Sequence, residues 1–284
     1  MFSDFLYLKG FRAQSSMKDK VVIITGSTSG IGLASAKAFL KEKAKVVITC
    51  PFPDELKAVA EELDPRGEQT LVIKADVSIE EECKNLIEKT IERFGRIDIL
   101  VNNAGISMRA LLDDVEIRVL RRVMDINFWG TVYCTKYALP YIQQSGGTIV
   151  GISSIAGFHG LPGRTAYSAS KFAIHGFLES VRTENIKKGV HVLILAASFT
   201  SSNIRKSALD AHGNPQGETP REEEKLTTPE QVAKNLLRSI RKQKRTRIMS
   251  LEGQLMVFFQ RIIPYLTDRV IYNKFKKEPN SPLK

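Results

Sequence analysis

The chain has 284 residues, 43% of them hydrophobic and 26% charged, which fits one large or two small α/β domains and excludes a fibrous or disordered polymer. Its net charge of +11 is unevenly placed: residues 238–284 hold 12 Lys/Arg against 3 Asp/Glu, so the basic character belongs to the tail and not to the body. No apolar run approaches the roughly 20 residues that span a bilayer, and three widely spaced cysteines exclude a disulfide framework and fit a reducing, cytoplasmic compartment.

Residues 1–17 carry only the short apolar piece "FLYL" and read as a disordered N-terminal extension without a secretory signal. "KVVIIT" (20–25) is a β-branched strand, followed by a Gly-rich turn and a helix with Leu33, Ala36 and Leu40 on one face. "KVVITC" (45–50), "TLVIKADV" (70–77), "IDILVNNAG" (97–105), "TIVGISS" (148–154) and "VHVLILAAS" (190–198) are further strands, and "TRIMS" (246–250) is a candidate seventh. Helical text separates them: 53–63, 80–95, a stretch running to about Ser145, and a long helix over about 165–188. Strands alternating with helices imply βαβ crossovers, and near-continuous apolar strands imply a parallel sheet covered on both faces. The fold expected is a Rossmann-type doubly wound sheet of about seven strands over residues 18–250, with a helical C-terminal extension over 251–284. The polar segment 210–225 belongs to an exposed flap over 199–225.

"TGSTSGIG" (25–32) joins the first strand to the first helix. Gly26, Gly30 and Gly32 permit a tight turn and close approach of backbone to a pyrophosphate, and the helix start offers N–H groups and a positive dipole end. "TAYSASKFA" (165–173) puts Tyr167 and Lys171 one helical turn apart. Such a pair is often two side chains sharing a face. A nearby ammonium also favours a phenolate, which lets tyrosine exchange a proton near neutral pH.

The T-G-x-x-x-G-x-G spacing, "NNAG" after the fourth strand, Asn127 in a helix, Ser154 ending the fifth strand, and Tyr167-x-x-x-Lys171 stand in the order of the short-chain dehydrogenase/reductase family. The chain resembles that family over about 18–240. The resemblance implies an NAD(P)-dependent oxidoreductase passing hydride between the nicotinamide and a carbonyl or secondary-alcohol carbon. It implies that Asn127, Ser154, Tyr167 and Lys171 are catalytic. Ser154 would bond the substrate oxygen, Asn127 would hold a water in a proton relay, and Lys171 would hold the nicotinamide ribose. By position, Ser29 and Ile31 flank the pyrophosphate, Asp76 and Val77 face the adenine, and Asn103, Ala104 and Gly105 line the floor near the ribose, with Thr200 as a further cofactor contact. Met108 and His159 join Ser154 and Tyr167 on the substrate side, with Ser107, Arg109, Phe158 and Leu161 nearby. This apolar mix favours a hydrophobic ketone or alcohol. No metal site is expected.

Two departures from the family stand out. Cys50 and Pro51 occupy the positions at the end of the second strand where an acid or a basic residue reads the adenosine ribose. With no acid there, and with Lys41, Lys43 and Lys45 as a diffuse positive field, the sequence leans towards NADP over NAD. Ala197 and Ser198 replace a Pro-Gly pair, which puts the nicotinamide loop in doubt and keeps a second reading open, a cofactor-binding scaffold without turnover.

A homo-dimer or homo-tetramer is expected through two long helices, one holding Asn127, Trp129, Tyr133 and Tyr137 and the other Tyr167, Ile174 and Leu178. The tail offers three readings. "RSIRKQKRTR" (238–247), "LMVFFQRIIPYL" (255–266) and "DRVIYNKFKK" (268–277) pack on the body or on a neighbouring subunit, lie in a membrane interface, or bind nucleic acid. The last is disfavoured because no reading module is present.

Overall fold

The computed structural model describes residues 16–201, 204–217 and 226–284. Residues 1–15, 202–203 and 218–225 lie outside it, and with them most of the expected N-terminal extension and part of the flap. Seven strands form one parallel sheet in the order β3-β2-β1-β4-β5-β6-β7. They are β1 (Val21–Thr25), β2 (Lys45–Cys50), β3 (Thr70–Lys74), β4 (Ile99–Asn102), β5 (Thr148–Ser154), β6 (His191–Ala197) and β7 (Thr246–Ile248). The order reverses between β1 and β4, and ligands of such sheets bind outside the carboxyl ends of the strands at that switch point.

Alternate residues of each strand face opposite layers. Val22, Ile24, Val46 and Ile48 join one core with Phe39 of α1 (Gly30–Lys41), Leu56 of α2 (Pro53–Leu63), and Leu236 and Ile240 of a later helix (Pro229–Arg241). Ile23, Val47 and Leu100 join the other core with Leu86 and Ile87 of α3 (Glu80–Phe94) and with helices that follow β4. Those are α5 (Gly130–Ser145) and, after β5, α6 (Thr165–Glu184), whereas α4 (Ile117–Met124) puts Val119 and Val123 into a separate cluster with Met108, Ala166 and Leu209. Ile142, Ile174 and Leu178 are buried in the second core. Ile174 and Leu178 therefore face their own sheet and are not free for a subunit interface, because a helix covering a sheet spends one stripe on it. Met17, grouped with the extension in the sequence reading, is fully buried in the first core.

The Pro229–Arg241 helix, α7, has no counterpart in the sequence reading. Thr228 and Gln231 form a reciprocal capping box and Pro229 takes the first helical position. The basic run 238–247 is therefore not a free tail: it is the end of α7, a turn, and β7, with Arg241 paired to Glu42. The extension proper is α8 (Leu251–Ile262) and α9 (Pro264–Lys276), parted where Pro264 starts a new helix. Thr267, Ile271 and Phe275 form the buried stripe of α9, and Ile271 and Phe275 pack on Ala156 and Leu161. Glu278, buried just beyond, reaches Arg164 at 3.2 Å and Arg109 at 3.7 Å.

Candidate active site

The Gly-rich turn is locked from three sides. Gly26 has φ +62°, and a Cβ there would meet the Ala104 backbone at 3.0 Å. A Cβ on Gly32 would lie 2.2 Å from the Gly26 carbonyl oxygen, so no larger residue fits. Asn103 donates its side-chain amide to the Thr25 and Gly26 carbonyls at 2.8 and 2.9 Å, and the Asn103 and Ala104 N–H groups donate to Thr25 Oγ1. No side chain caps the start of α1 at Ser29. This cradle, formed by Gly26, Ser29, Gly30, Ile31 and Gly32 at a helix N-terminus on the switch point, fits a dinucleotide pyrophosphate. Asp76 lies beyond β3, where its carboxylate accepts from the N–H and hydroxyl of Ser78, and Val77 is buried beside it.

The other expected residues converge at the carboxyl ends of β4 and β5. Asn127 sits in a π-helical turn, Asp125–Trp129, between α4 and α5, a distortion common at functional sites. Its side chain accepts from the Ile106 N–H at 2.8 Å and donates to the Ile106 carbonyl at 3.0 Å and Ser170 Oγ at 2.9 Å. Ser170 Oγ in turn donates to the Tyr167 carbonyl at 2.7 Å. Asn127 thus ties the loop after Gly105 to the helix that carries Tyr167. Lys171, buried, donates to the Ile152 carbonyl at 3.0 Å, with its Nζ 5.6 Å from the centre of the Tyr167 ring. A Cβ on Gly105 would stand 3.6 Å from that Nζ, so the loop passes close over the lysine.

Burial pushes the Tyr167 phenol above its ordinary pKa, while the hydrogen bond with Ser154 and the positive charge of Arg164 partly offset it. The sequence reading expected a phenol lowered by Lys171. Here Lys171 is itself desolvated, which lowers its pKa to about 8, and its bond goes to Ile152 rather than to the phenol. Ser154, ending β5, also accepts from the Ala156 N–H at 3.2 Å, which starts the turn after the strand.

The substrate side differs from expectation in what covers it. Met108 is fully buried, and the 106–109 segment exchanges backbone bonds with Leu209 of the flap. His159 is buried under α9, its Nε2 3.6 Å from Asp268. Arg109 donates to the Pro279 carbonyl at 2.5 Å. The described parts of the flap, 199–201 and 204–217, are thus pinned to the body, and the C-terminal segment lies across the residues picked for substrate. Sequence reasoning missed this role of Phe275 and Glu278. The one visible signal, for Phe275 alone, was its helical spacing from Ile271 and Thr267. The loop carrying Ala197 and Ser198 is also anchored: Ser198 Oγ bonds Thr227 Oγ1 at 2.6 Å, and Thr200, buried, pairs with Thr227 across a β-bridge.

Around the adenosine end the basis of the NADP lean changes. Thr28 Oγ1 donates to Glu55 Oε2 at 2.8 Å, so the first turn of α2 brings to the Gly-rich turn the acid that β2 lacks. Lys43 and Lys45 stand at the opposite end of β2, about 16 Å from Cys50 at 3.3 Å per residue, beyond a Debye length. Among the described residues, no group of three His, Cys, Asp or Glu side chains is placed to hold a metal ion.

Comparison with known proteins agrees with this arrangement. The short chain dehydrogenase family model matches residues 20–213. The 11-beta-hydroxysteroid dehydrogenase A of Sesamum indicum is 36% identical over 84% of this chain and 70% of its own. The dehydrogenase/reductase SDR family member 7B of Mus musculus is 30% identical over 99% of this chain and 89% of its own. Among solved structures, a short chain dehydrogenase/reductase from Burkholderia phymatum in complex with NAD superposes with a TM-score of 0.78, at 21% identity, over 88% of this chain and 96% of that one. An alcohol dehydrogenase from the archaeon Thermococcus sibiricus, complexed with 5-hydroxy-NADP, gives 0.68 at 23% identity over 77% and 88%. With a family model over most of its length, relatives aligned nearly end to end and the motifs gathered at one sheet edge, the chain belongs to the short-chain dehydrogenase/reductase family and is an NAD(P)-dependent oxidoreductase.

Proposed function

We propose that the chain interconverts a largely apolar ketone and its secondary alcohol, with Tyr167 exchanging the proton at the substrate oxygen. The gathering of Ser154, Tyr167 and Lys171 at the carboxyl end of β5, with β4 alone between it and the strand that leads into the Gly-rich cradle, carries this reading. The bound nicotinamide supplies or accepts the hydride. Gly26, Ser29, Gly30, Ile31 and Gly32 hold its pyrophosphate, Asp76 and Val77 flank the adenine, and Asn103, Ala104, Gly105 and Thr200 border the rest. Ser154 donates to the substrate oxygen. Tyr167, its pKa raised by burial, keeps its proton at neutral pH and is an acid poised for carbonyl reduction. Lys171 holds the nicotinamide ribose, and Asn127 fixes the loop and helix around it. Apolar walls support a hydrophobic substrate: Ala156, Leu161, Ile271 and Phe275 form one cluster with Tyr167, Phe199 and Met256 at its edge. The hydroxysteroid dehydrogenase name of the sesame relative agrees with that class. Nicotinamide absorbance followed against ketones and alcohols of graded polarity tests it. Turnover of bulky apolar members and rejection of sugars is expected. Cofactor binding without turnover of any member would leave the scaffold reading instead.

The same reading places the protein in the cytoplasm, resting on a lipid surface through α8 and α9. No helix among the described residues is long and apolar enough to cross a membrane. Leu251, Leu255, Phe258, Phe259 and Ile262 follow helical spacing and stay exposed, and Tyr265, Leu266, Val270 and Tyr272 continue the face on α9. Arg269 and Lys276 lie over the rings of Tyr265 and Tyr272. Exposed apolar side chains rimmed by cations suit an anionic interface. Co-sedimentation with anionic vesicles should be strong for the native chain and lost for Phe258→Glu/Ile262→Glu. Equal sedimentation of both would remove the lipid reading.

A further inference from the structure

We infer that Glu55 makes this enzyme selective for NAD(H) over NADP(H), acting from the first turn of α2 in place of an acid at the end of β2. The inference rests on the reading of the Gly-rich turn as the dinucleotide cradle. In such folds the group that meets the ribose 2′-position stands about 20 residues after the glycines, at the end of the second strand. Here that place holds Cys50, whose sulfur accepts from the Phe52 N–H at 3.3 Å and turns the chain directly into α2. The short connection brings the helix start against the Gly-rich turn. Ser27 Oγ accepts from the Thr49 N–H at 2.9 Å and ties the end of β2 to the turn, and Thr28 Oγ1 donates to Glu55 at 2.8 Å and ties the helix start to it. Thr28, Cys50 and Glu55 therefore enclose one corner, since Cys50 also feels a hydrogen bond from Thr28 and the charge of Glu55.

Asp54 and Glu55 are the acids of the α2 first turn. Of the cations on or near these elements, Lys74 on β3, in register with Cys50, pairs with Glu82 at 3.6 Å, and Lys37 of α1 pairs with Glu62. Lys43 and Lys45 are at the far end of β2, while Lys57, two residues beyond Glu55, lies on another side of α2. A ribose hydroxyl can donate to a carboxylate, which has room for more than one donor beside Thr28. A 2′-phosphate would add up to two negative charges next to Glu55, where the strand neighbour Lys74 is already paired with Glu82, and like charges close together repel. Glu55 is exposed, so its replacement tests the contact without touching the core.

The experiment is a pair of binding titrations, NADH and NADPH, read by nicotinamide fluorescence on native protein and on Glu55→Gln, with melting temperature as the folding control. Native protein should bind NADH at least about tenfold tighter, and Glu55→Gln should shrink that ratio by about tenfold, mainly through tighter NADPH. Tighter native binding of NADPH, or a ratio unmoved by Glu55→Gln, overturns the inference. Failure of both cofactors to bind would instead overturn the cradle reading, and this inference with it.

Discussion

Lys171 and Tyr167 stand one turn apart on α6, the lysine ammonium 5.6 Å from the ring centre, yet the lysine spends its hydrogen bond on the Ile152 carbonyl. The pair is a charge lying beside a ring, not a bonded acid and base. Of the groups near the phenol, Ser154 and Arg164 are the ones that pull its pKa down against the effect of burial. In the proposed mechanism serine and tyrosine act at the substrate oxygen, and lysine acts on the field and on the cofactor.

Replacing Tyr167 by Phe removes the proton source and little else. A loss of at least about a hundredfold in kcat is expected, with cofactor affinity within about twofold. Retention of most of the native rate under steady-state assay would remove Tyr167 from the mechanism.

The pH profile should carry the mark of Lys171. Its burial lowers the amine to about 8, so the charge is present below that pH and lost above it, while the phenol, raised, still holds its proton. For carbonyl reduction, kcat/KM of the free enzyme should be level from about pH 6 and fall above about pH 8. A falling limb displaced to about pH 10 would mean that the lysine titrates as if exposed.

His175 predicts an acid weakness in the fold. Its ring nitrogen Nε2 lies 2.6 Å from Ser153 Oγ, and burial, then the charges of Lys171 and Arg182, lowers its pKa from 6.5 to about 4. A histidine lowered on folding binds fewer protons in the native state, so stability is intact above pH 6.5 and drains away as pH falls towards 4. The shift amounts to about 3 kcal/mol. His175→Asn should melt with a smaller drop across that window than native protein, and equal drops would clear His175 of the effect.

The C-terminal strap should depend on Glu278. It is buried against Arg109 and Arg164, so Glu278→Gln leaves two guanidinium groups short of a carboxylate and should lower stability by about 3 kcal/mol. Calorimetry gives the loss, and a rise in KM for apolar substrates should accompany it because Phe275 and Ile271 then loosen from Leu161. An unchanged melting temperature would show that the strap is held by its apolar contacts alone.

Pairing of subunits, which is proposed here, has its surface on α5 and α6. Trp129 and Phe172 remain 43% and 46% exposed, with Trp129 stacked on Tyr133 at 5.7 Å. Light scattering should give a dimer or tetramer at micromolar concentration, and Trp129→Glu should shift it to monomer. A native monomer would end the proposal.

The sequence alone determined the strands, because buried parallel strands must be β-branched and apolar, as "VVIIT" and "VVITC" are. It also made the Gly-rich cradle and the Tyr167–Lys171 pair legible, since each is written within a few consecutive residues, while Asn127 and Ser154 were picked out by their order in the family resemblance. Only the tertiary structure decided what lay far apart in the chain. Glu55 reaches Thr28 across 27 residues, and Glu278 reaches Arg164 across 114. No local periodicity encodes such a meeting, because it depends on how α2 leaves β2 and how α9 folds back over the body. The same holds for charge. The basic run at 238–247 reads as a loose tail until α7 and β7 take it into the fold, where packing of Leu236 and Ile240 decides its place and the lysines follow.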